Sequence, residues 1–279
     1  MSSLPVRGVR LLVAYDGSNF YGWAKQPGLR TVQGVLEEKI SAFAAHPVST
    51  RAAGRTDRGV HALGQVVAFD THLSLPPQAW LRGVNRLLPE DLVIRAVDFV
   101  ELGYEPRYDT IDKTYRYLLL IDSERDPLLR HRAWFLPPQF WHPALRHSPS
   151  RFTFRLDIEA MRKAATLFVG THDFRAFRAE DDHRENSIRT IYSLTIDPDW
   201  NGDPRLVAIT VRGNAFMKHM VRIIVGTLVE VGRGRMLPES VSALLGPQAK
   251  RNQAGPTAPP EGLTLLSVCL GRSGSLPTE

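Results

Sequence analysis

The side chain best equipped by its neighbours for chemistry is Asp57, in the segment Ala53-Gly-Arg-Thr-Asp-Arg-Gly-Val-His-Ala62. Gly54 and Gly59 bracket Arg-Thr-Asp-Arg, so the backbone can take conformations that a Cβ resists, and the carboxylate is presented on a tight loop ahead of a strand. Arg55 and Arg58 are close in sequence, and a guanidinium near a carboxylate favours its ionised form. An ionised, held carboxylate can attack an electrophilic carbon or stabilise an oxocarbenium-like centre. The same residues also suit a structural loop in which Asp57 caps a backbone amide, and an isolated Gly-Arg-Thr-Asp favours that plainer role.

Other chemistry-bearing residues lie downstream. On a strand, Tyr115 and Tyr117 share one face, which by itself suggests a core aromatic pair. Arg222 sits inside an apolar run with Phe216, Met220, Ile223, Ile224, Leu228 and Val231 spread around a helix. A buried guanidinium without a partner is very costly, so Arg222 must reach an anion or snorkel to the surface. Phe174, Arg175, Phe177 and Arg178 interleave aromatic and basic side chains, a mixture that suits RNA as well as core packing. His61 lies beside apolar residues and reads as a loop-shaping residue. No Walker loop, no Cys or His cluster with zinc spacing, no His-Glu-x-x-His and no Gly-x-Ser-x-Gly is present, so neither a nucleotide cofactor nor an essential metal is expected.

The elements that must position these residues alternate irregularly. Val9 to Tyr15 reads as a strand. Thr31 suits the N-cap of a helix carrying Val32, Val35, Leu36, Ile40 and Phe43 at helical spacing. Gln65 to Asp70 reads as a strand, Pro76 and Pro77 open a helix through Leu88, and Leu92 to Val100 is a strand. Lys113 to Ile121 is β-prone. Asp126 to Arg151 has little periodicity and reads as an irregular excursion. Asp157 to Val169 suggests a helix, Ile188 to Ile196 and Leu206 to Val211 two strands, Asn214 to Val231 a long helix, Pro238 to Leu245 a shorter one, and Leu263 to Leu270 a last strand. Gln248 to Pro260, rich in Ala, Pro, Gly and Gln, reads as a mobile surface loop. Some strands follow one another directly, which favours an α+β fold with mixed or antiparallel sheets flanked by helices. The two halves have similar inventories, suggesting two related lobes, 1–105 and 106–279, with a central catalytic cleft.

The chain has 279 residues, enough for a substantial core, and its single cysteine excludes an intramolecular disulfide. No apolar run is long enough to span a bilayer, so a soluble, cytoplasmic protein with no membrane contact is expected. The formal charge is +6 and the pI about 9.7. From Asp203 to Arg251 there are eight basic residues against three acidic ones, a difference of five that nearly accounts for the excess. Such a region is either a solvated basic face or a footprint for a polyanion.

Gly-Arg-Thr-Asp-Arg-Gly-Val-His-Ala-Leu-Gly-Gln, from Gly54 to Gln65, closely resembles the catalytic loop of the TruA family of tRNA pseudouridine synthases. Further blocks match in the right order: Tyr15-Asp-Gly-Ser-Asn-Phe-Tyr-Gly-Trp23, Asn85 through Asp91, Lys113-Thr-Tyr-Arg-Tyr117, His172-Asp-Phe-Arg-Ala-Phe-Arg178, Asn214 through Arg222 with Ile224-Val-Gly226, and Glu261-Gly-Leu263. Two departures are visible. Ala24 stands where the family commonly has Gln, and Glu105-Pro-Arg-Tyr108 replaces His-Ala-Arg-Phe, keeping Arg107.

The resemblance implies that Asp57 is the nucleophile, that Tyr115 stacks on the uracil and serves as or orients a base, and that Arg222 pairs with Asp57. It implies isomerisation of uridines 38, 39 and 40 in the anticodon arm of tRNA by a homodimer. Arg55, Arg58, Arg107, Phe174, Arg175, Arg178 and Lys218 are then candidate RNA contacts. Two other readings remain open on the residues alone: a non-catalytic RNA-binding module, and a nucleosidase using Asp57 with a second carboxylate such as Asp16.

Overall fold

The computed structural model describes residues 7–137 and 156–271, so the part of the expected irregular excursion from 138 to 151 lies outside the described residues. It divides into two compact units. One holds the described residues up to Lys113 together with those from Thr264 onward, and the other falls within Thr114–Leu263.

In the first unit, β1 (Arg7–Tyr15) is central, pairing antiparallel with β3 (His61–Thr71) on one side and β4 (Leu92–Val100) on the other. Its eight residues from Gly8 to Tyr15 are all buried, as a strand paired on both edges and covered on both faces requires. β3 also takes the two-residue β2 (Arg51–Ala52) antiparallel and β10 (Leu263–Leu270) parallel, through Thr264 and Leu265 opposite His61 and Ala62. The sheet is therefore mixed.

Two helices belong to this unit. In α1 (Val32–Ala44), Thr31 caps the start by accepting from Gly34 N at 3.2 Å, and the chain leaves through Ala45 in the left-handed region. α2 (Pro77–Asn85) begins behind Pro76. Asn85 exchanges two 2.8 Å bonds with the backbone of Ile94, fastening the end of α2 to β4. Trp80 of α2 meets Phe43 of α1 and Phe69 of β3 edge to face, each at 5.3 Å, forming the aromatic centre of the core. A one-turn helix, α3 (Pro106–Asp109), leads into β5 (Thr110–Ile121), inside which the boundary between the units falls.

In the second unit β5 pairs parallel with β6 (Trp134–Leu136), and the sheet continues in the order β5, β9 (Leu206–Gly213), β8 (Ile188–Pro198) and β7 (Gly170–Asp173). The last two pairings are antiparallel. α4 (Ile158–Phe168) is capped by Asp157, whose side chain accepts from Ala160 N at 2.8 Å. Asp157 N donates to Gly232 O at 2.9 Å, tying the start of α4 to the end of α5 (Met220–Gly232).

Two local expectations need correcting. The long helix starts at Met220 instead of Asn214. Asn214 turns its side-chain oxygen to the amides of Thr190 and Ala215, and His219 adopts a left-handed conformation at φ 62°, which a continuous helix cannot contain. The segment 248–260 is not a loose surface loop. Ala258 is fully buried, and Gly255 N donates to Thr227 Oγ1 at 2.9 Å, so the segment is strapped onto α5. The expected short helix after Pro238 is a 3-10 helix, Pro238–Leu244. Among the described residues no helix is long and apolar enough to cross a membrane.

Candidate active site

The loop bearing Asp57 is braced by the block that precedes α1. Its first residues are pinned to β3, with Ala53 N donating to Val66 O at 2.9 Å and Gln65 Nε2 to Gly54 O at 2.8 Å. Thr56 is gripped from two sides. Trp23 N donates to its carbonyl at 3.0 Å, and the Tyr15 hydroxyl bonds to Oγ1 at 2.8 Å. Burial pushes the Tyr15 hydroxyl up to about 12, so it remains protonated at neutral pH.

After Asp57 the chain makes a tight turn. Val60 N donates to Asp57 O at 3.2 Å, and Gly59 takes φ +79° at the third position, as a type II turn requires. The turn lies against Gly17 and Gly22. A Cβ on Gly17 would sit 2.0 Å from Val60 O, and one on Gly22, itself at φ +85°, would sit 2.9 Å from Thr56 O. The Asp-Gly-Ser-Asn-Phe-Tyr-Gly stretch is thus a floor cut close enough to hold the turn in one conformation.

His61 closes the loop. It is buried, and its Nδ1 accepts from Gly17 N at 3.0 Å. The nearby Asp16 Oδ1, 3.1 Å away, accepts from the amide and hydroxyl of Ser18. Asp16, the second carboxylate of the nucleosidase reading, is therefore engaged in capping a turn.

Asp57 itself is half-buried, and Arg55 and Arg58 are exposed. The Arg58 guanidinium lies 4.2 Å over the Tyr21 ring, a cation–π contact that fixes it at the mouth of the loop. Reasoning from the sequence missed Lys113, whose side chain rests on Gly54. The signal available was its place at the head of the Lys-Thr-Tyr-Arg-Tyr block.

The second unit carries the other two candidate catalytic residues. Tyr115 is buried on β5 and packs edge to face with Phe216 at 5.3 Å. Two residues on, the Tyr117 hydroxyl donates to Pro259 O at 2.7 Å, and burial, reinforced by the Glu261 charge, pushes it far above the ordinary phenol range. Arg222 lies in the first turn of α5. Its Nε donates to Ala258 O at 2.7 Å while its own carbonyl accepts from Ala258 N at 3.1 Å. This reciprocal pair sets the plane of the guanidinium from the strap across α5. The strap comes close because Gly226 has no side chain, a Cβ there lying 1.8 Å from Pro256 O.

The remaining candidates divide by environment. Phe174 has no exposed surface. It stacks on Phe168 at 6.5 Å and meets Phe177 at 5.9 Å, so its ring is a core element. Arg175 pairs with Asp173 at 2.7 Å, Arg178 donates to the Arg184 carbonyl at 2.5 Å, and Lys218 reaches Asp181 at 2.5 Å. Arg175 and Lys218 are exposed and Arg178 is half-buried, and contacts of such charges are weak enough for a stronger anion to exchange with them. Arg107 is exposed on α3.

The first unit thus has the build of a protein that presents one carboxylate on a braced, glycine-bracketed loop. A family model described as tRNA pseudouridine synthase matches residues 11–109 and 164–269. A relative named tRNA pseudouridine synthase A from Geobacter sp. (strain M21) is 40% identical over 263 residues, covering 94% of this chain and 98% of the relative. Those of Neisseria gonorrhoeae (strain NCCP11945) and Pseudothermotoga lettingae, with the same name, are 41% and 39% identical over 259 and 257 residues. Each covers 92% of this chain, and 90% and 97% of the respective relatives are matched. The chain belongs to the tRNA pseudouridine synthase family.

Proposed function

We propose that the chain isomerises uridine to pseudouridine in the anticodon arm of tRNA, at positions 38, 39 and 40, with Asp57 as the nucleophile. The observation that carries the reading is the loop geometry: a half-buried carboxylate on a turn held by Tyr15, Trp23, Gly17 and His61. A carboxylate fixed in this way loses little freedom on meeting a reacting atom, which is where positioning lowers a barrier. The name shared by relatives that match along almost the whole chain supports the substrate class.

The chemistry needs no oxidant, reductant or energy source. The N1–C1′ bond breaks, the uracil turns, C5–C1′ forms, C5 loses its proton and N1 gains one. Attack by Asp57 at C6, attack at C1′, and assisted loss of the C2′ proton each use the same carboxylate. Arg222 serves this scheme as the ion-pair partner holding Asp57 charged. Tyr115, or a water it holds, is the base for the C5 proton, and its ring stacks on the uracil. In this reading the three act on one and the same uridine. Extruding that uridine from a stem costs a few kcal/mol, roughly, and phosphate contacts from Arg55, Arg58, Arg107, Arg175, Arg178 and Lys218 offset it. The protein works in the cytoplasm as a homodimer without a nucleotide cofactor.

Incubation with an unmodified tRNA transcript, without added metal or nucleotide, followed by nucleoside analysis tests the reading. Pseudouridine at the three positions is expected from the wild type. Asp57→Asn should reduce its formation by at least about 1000-fold, the scale of losing a covalent catalyst, with tRNA still bound. Free uracil instead would establish the nucleosidase, and neither product the binding module.

A further inference from the structure

Lys113 lies beside the Asp57 loop and feels the like charge of Arg107. The Lys113 side chain is half-buried and lies on Gly54, three residues before Asp57. A Cβ on Gly54 would come 3.0 Å from Nζ and 3.4 Å from Cε, so the ammonium occupies the space that a side chain at 54 would claim. Among the described residues Lys113 makes no hydrogen bond and no ion pair. The charge acting on it is the like charge of Arg107, and burial followed by that repulsion pushes the ammonium down to about 8. It is still protonated at neutral pH.

Arg107 projects from α3 into solvent and also has no carboxylate partner among the described residues. Three other arginines of this unit are matched by carboxylates: Arg10 with Asp98, Arg30 with Asp91, Arg51 with Asp70. Two neighbouring cations, one of them withdrawn from water and neither neutralised, are unfavourable in the empty protein. The arrangement becomes favourable once an anion with several acceptor oxygens enters, and a half-desolvated ammonium holds a phosphate oxygen more strongly than a solvated one.

We propose that Lys113 and Arg107 are a phosphate-binding pair that grips the RNA backbone at the nucleotide presented to Asp57. The proposal rests on the RNA-directed reading above and adds the residue that fixes the sugar–phosphate beside the loop. Lys113 supplies a point charge from the floor and Arg107 a planar, two-pronged donor from the rim. Gly54 has a second purpose here, since any larger residue would displace the ammonium from the loop.

The test is the salt dependence of tRNA binding, measured for wild type, Lys113→Met, Lys113→Arg and Arg107→Gln. Each phosphate contact contributes about 0.7–0.9 to the slope of log affinity against log salt. Lys113→Met and Arg107→Gln should each lower the slope by nearly one and weaken binding about tenfold at low salt. Lys113→Arg should retain most of both. Lys113→Met should melt no lower than wild type, because it removes an uncompensated buried charge. An unchanged slope in either neutral variant overturns the proposal, and so does a lowered melting temperature in Lys113→Met, which would mark the ammonium as structural. Assaying pseudouridine in parallel separates the two ideas. Product formed with unaltered slopes removes the phosphate pair alone, whereas altered slopes without product from the wild type remove the isomerase alone.

Discussion

Asp182 shows how much one carboxylate can organise. Its oxygens accept from Arg184 N, Nε and Nη2 and from Lys218 N, and the side chain is almost fully enclosed. Hydrogen bonding from Arg184 holds its carboxyl well below the usual carboxylate range. A group whose folded pKa is depressed contributes stability that is present above its unfolded value and lost as pH falls toward the folded one. The turn joining Ala179 to Lys218 should therefore loosen below about pH 4, starting where a free aspartate titrates. Asp182→Ala should lose about 2 kcal/mol or more at pH 7, and part of that difference should vanish in acid. Urea melts at pH 7 and pH 3 check it, and a mutant deficit independent of pH would refute it. Such a link was not legible in the sequence, where Asp181 and Asp182 are alike and Lys218, which both of them reach, lies far along the chain. The Asp57 loop stood out because its motif, Gly54 to Gln65, is contiguous, although the groups that brace it, Tyr15, Gly17 and Trp23, come from the block before α1. Lys113 was not, since a lysine at the head of a strand reads as solvated until Gly54 is seen beneath it.

Helices and strands with a strong local pattern were legible to within a few residues. α1 with its Thr31 cap, β4 at Leu92–Val100 and β10 at Leu263–Leu270 all follow from periodicity and punctuation. The start of α5 did not, because Phe216 and Met217 continue the apolar rhythm while the backbone has already been diverted by Asn214 and His219. Nor did the strap at 255–259, whose composition is that of a loop and whose order comes from contacts with α5. The close approach of strap and helix makes Gly226 the sensitive position. Gly226→Ala places a methyl 1.8 Å from a carbonyl, so the strap must lift, carrying with it the Ala258 bonds that orient Arg222. A loss of about 2–4 kcal/mol is expected, with a drop in isomerisation exceeding that of a surface control destabilised equally. Equal activity per folded molecule would show that the strap has no part in holding Arg222.

The pI of about 9.7 and the charge of +6 bias the whole molecule toward polyanions. The mixed α+β class was readable from the irregular succession of strands and helices. Where the compact units part was not, because β5 runs unbroken through the boundary at Lys113 and Thr114 and gives no change in composition to mark it. The proposed homodimer should sediment at twice the chain mass of 31.3 kDa, and a purely monomeric species at micromolar concentration would contradict it.

The parallel pairing of β10 with β3 joins Thr264 to His61, residues separated by about two hundred positions. At a synthesis rate of roughly 5–20 residues per second, β3 leaves the ribosome some ten to forty seconds before this neighbour exists. For that interval the strand following the Asp57 turn has one flank without its final companion, an invitation to improper pairing that a nascent-chain chaperone would be suited to cover.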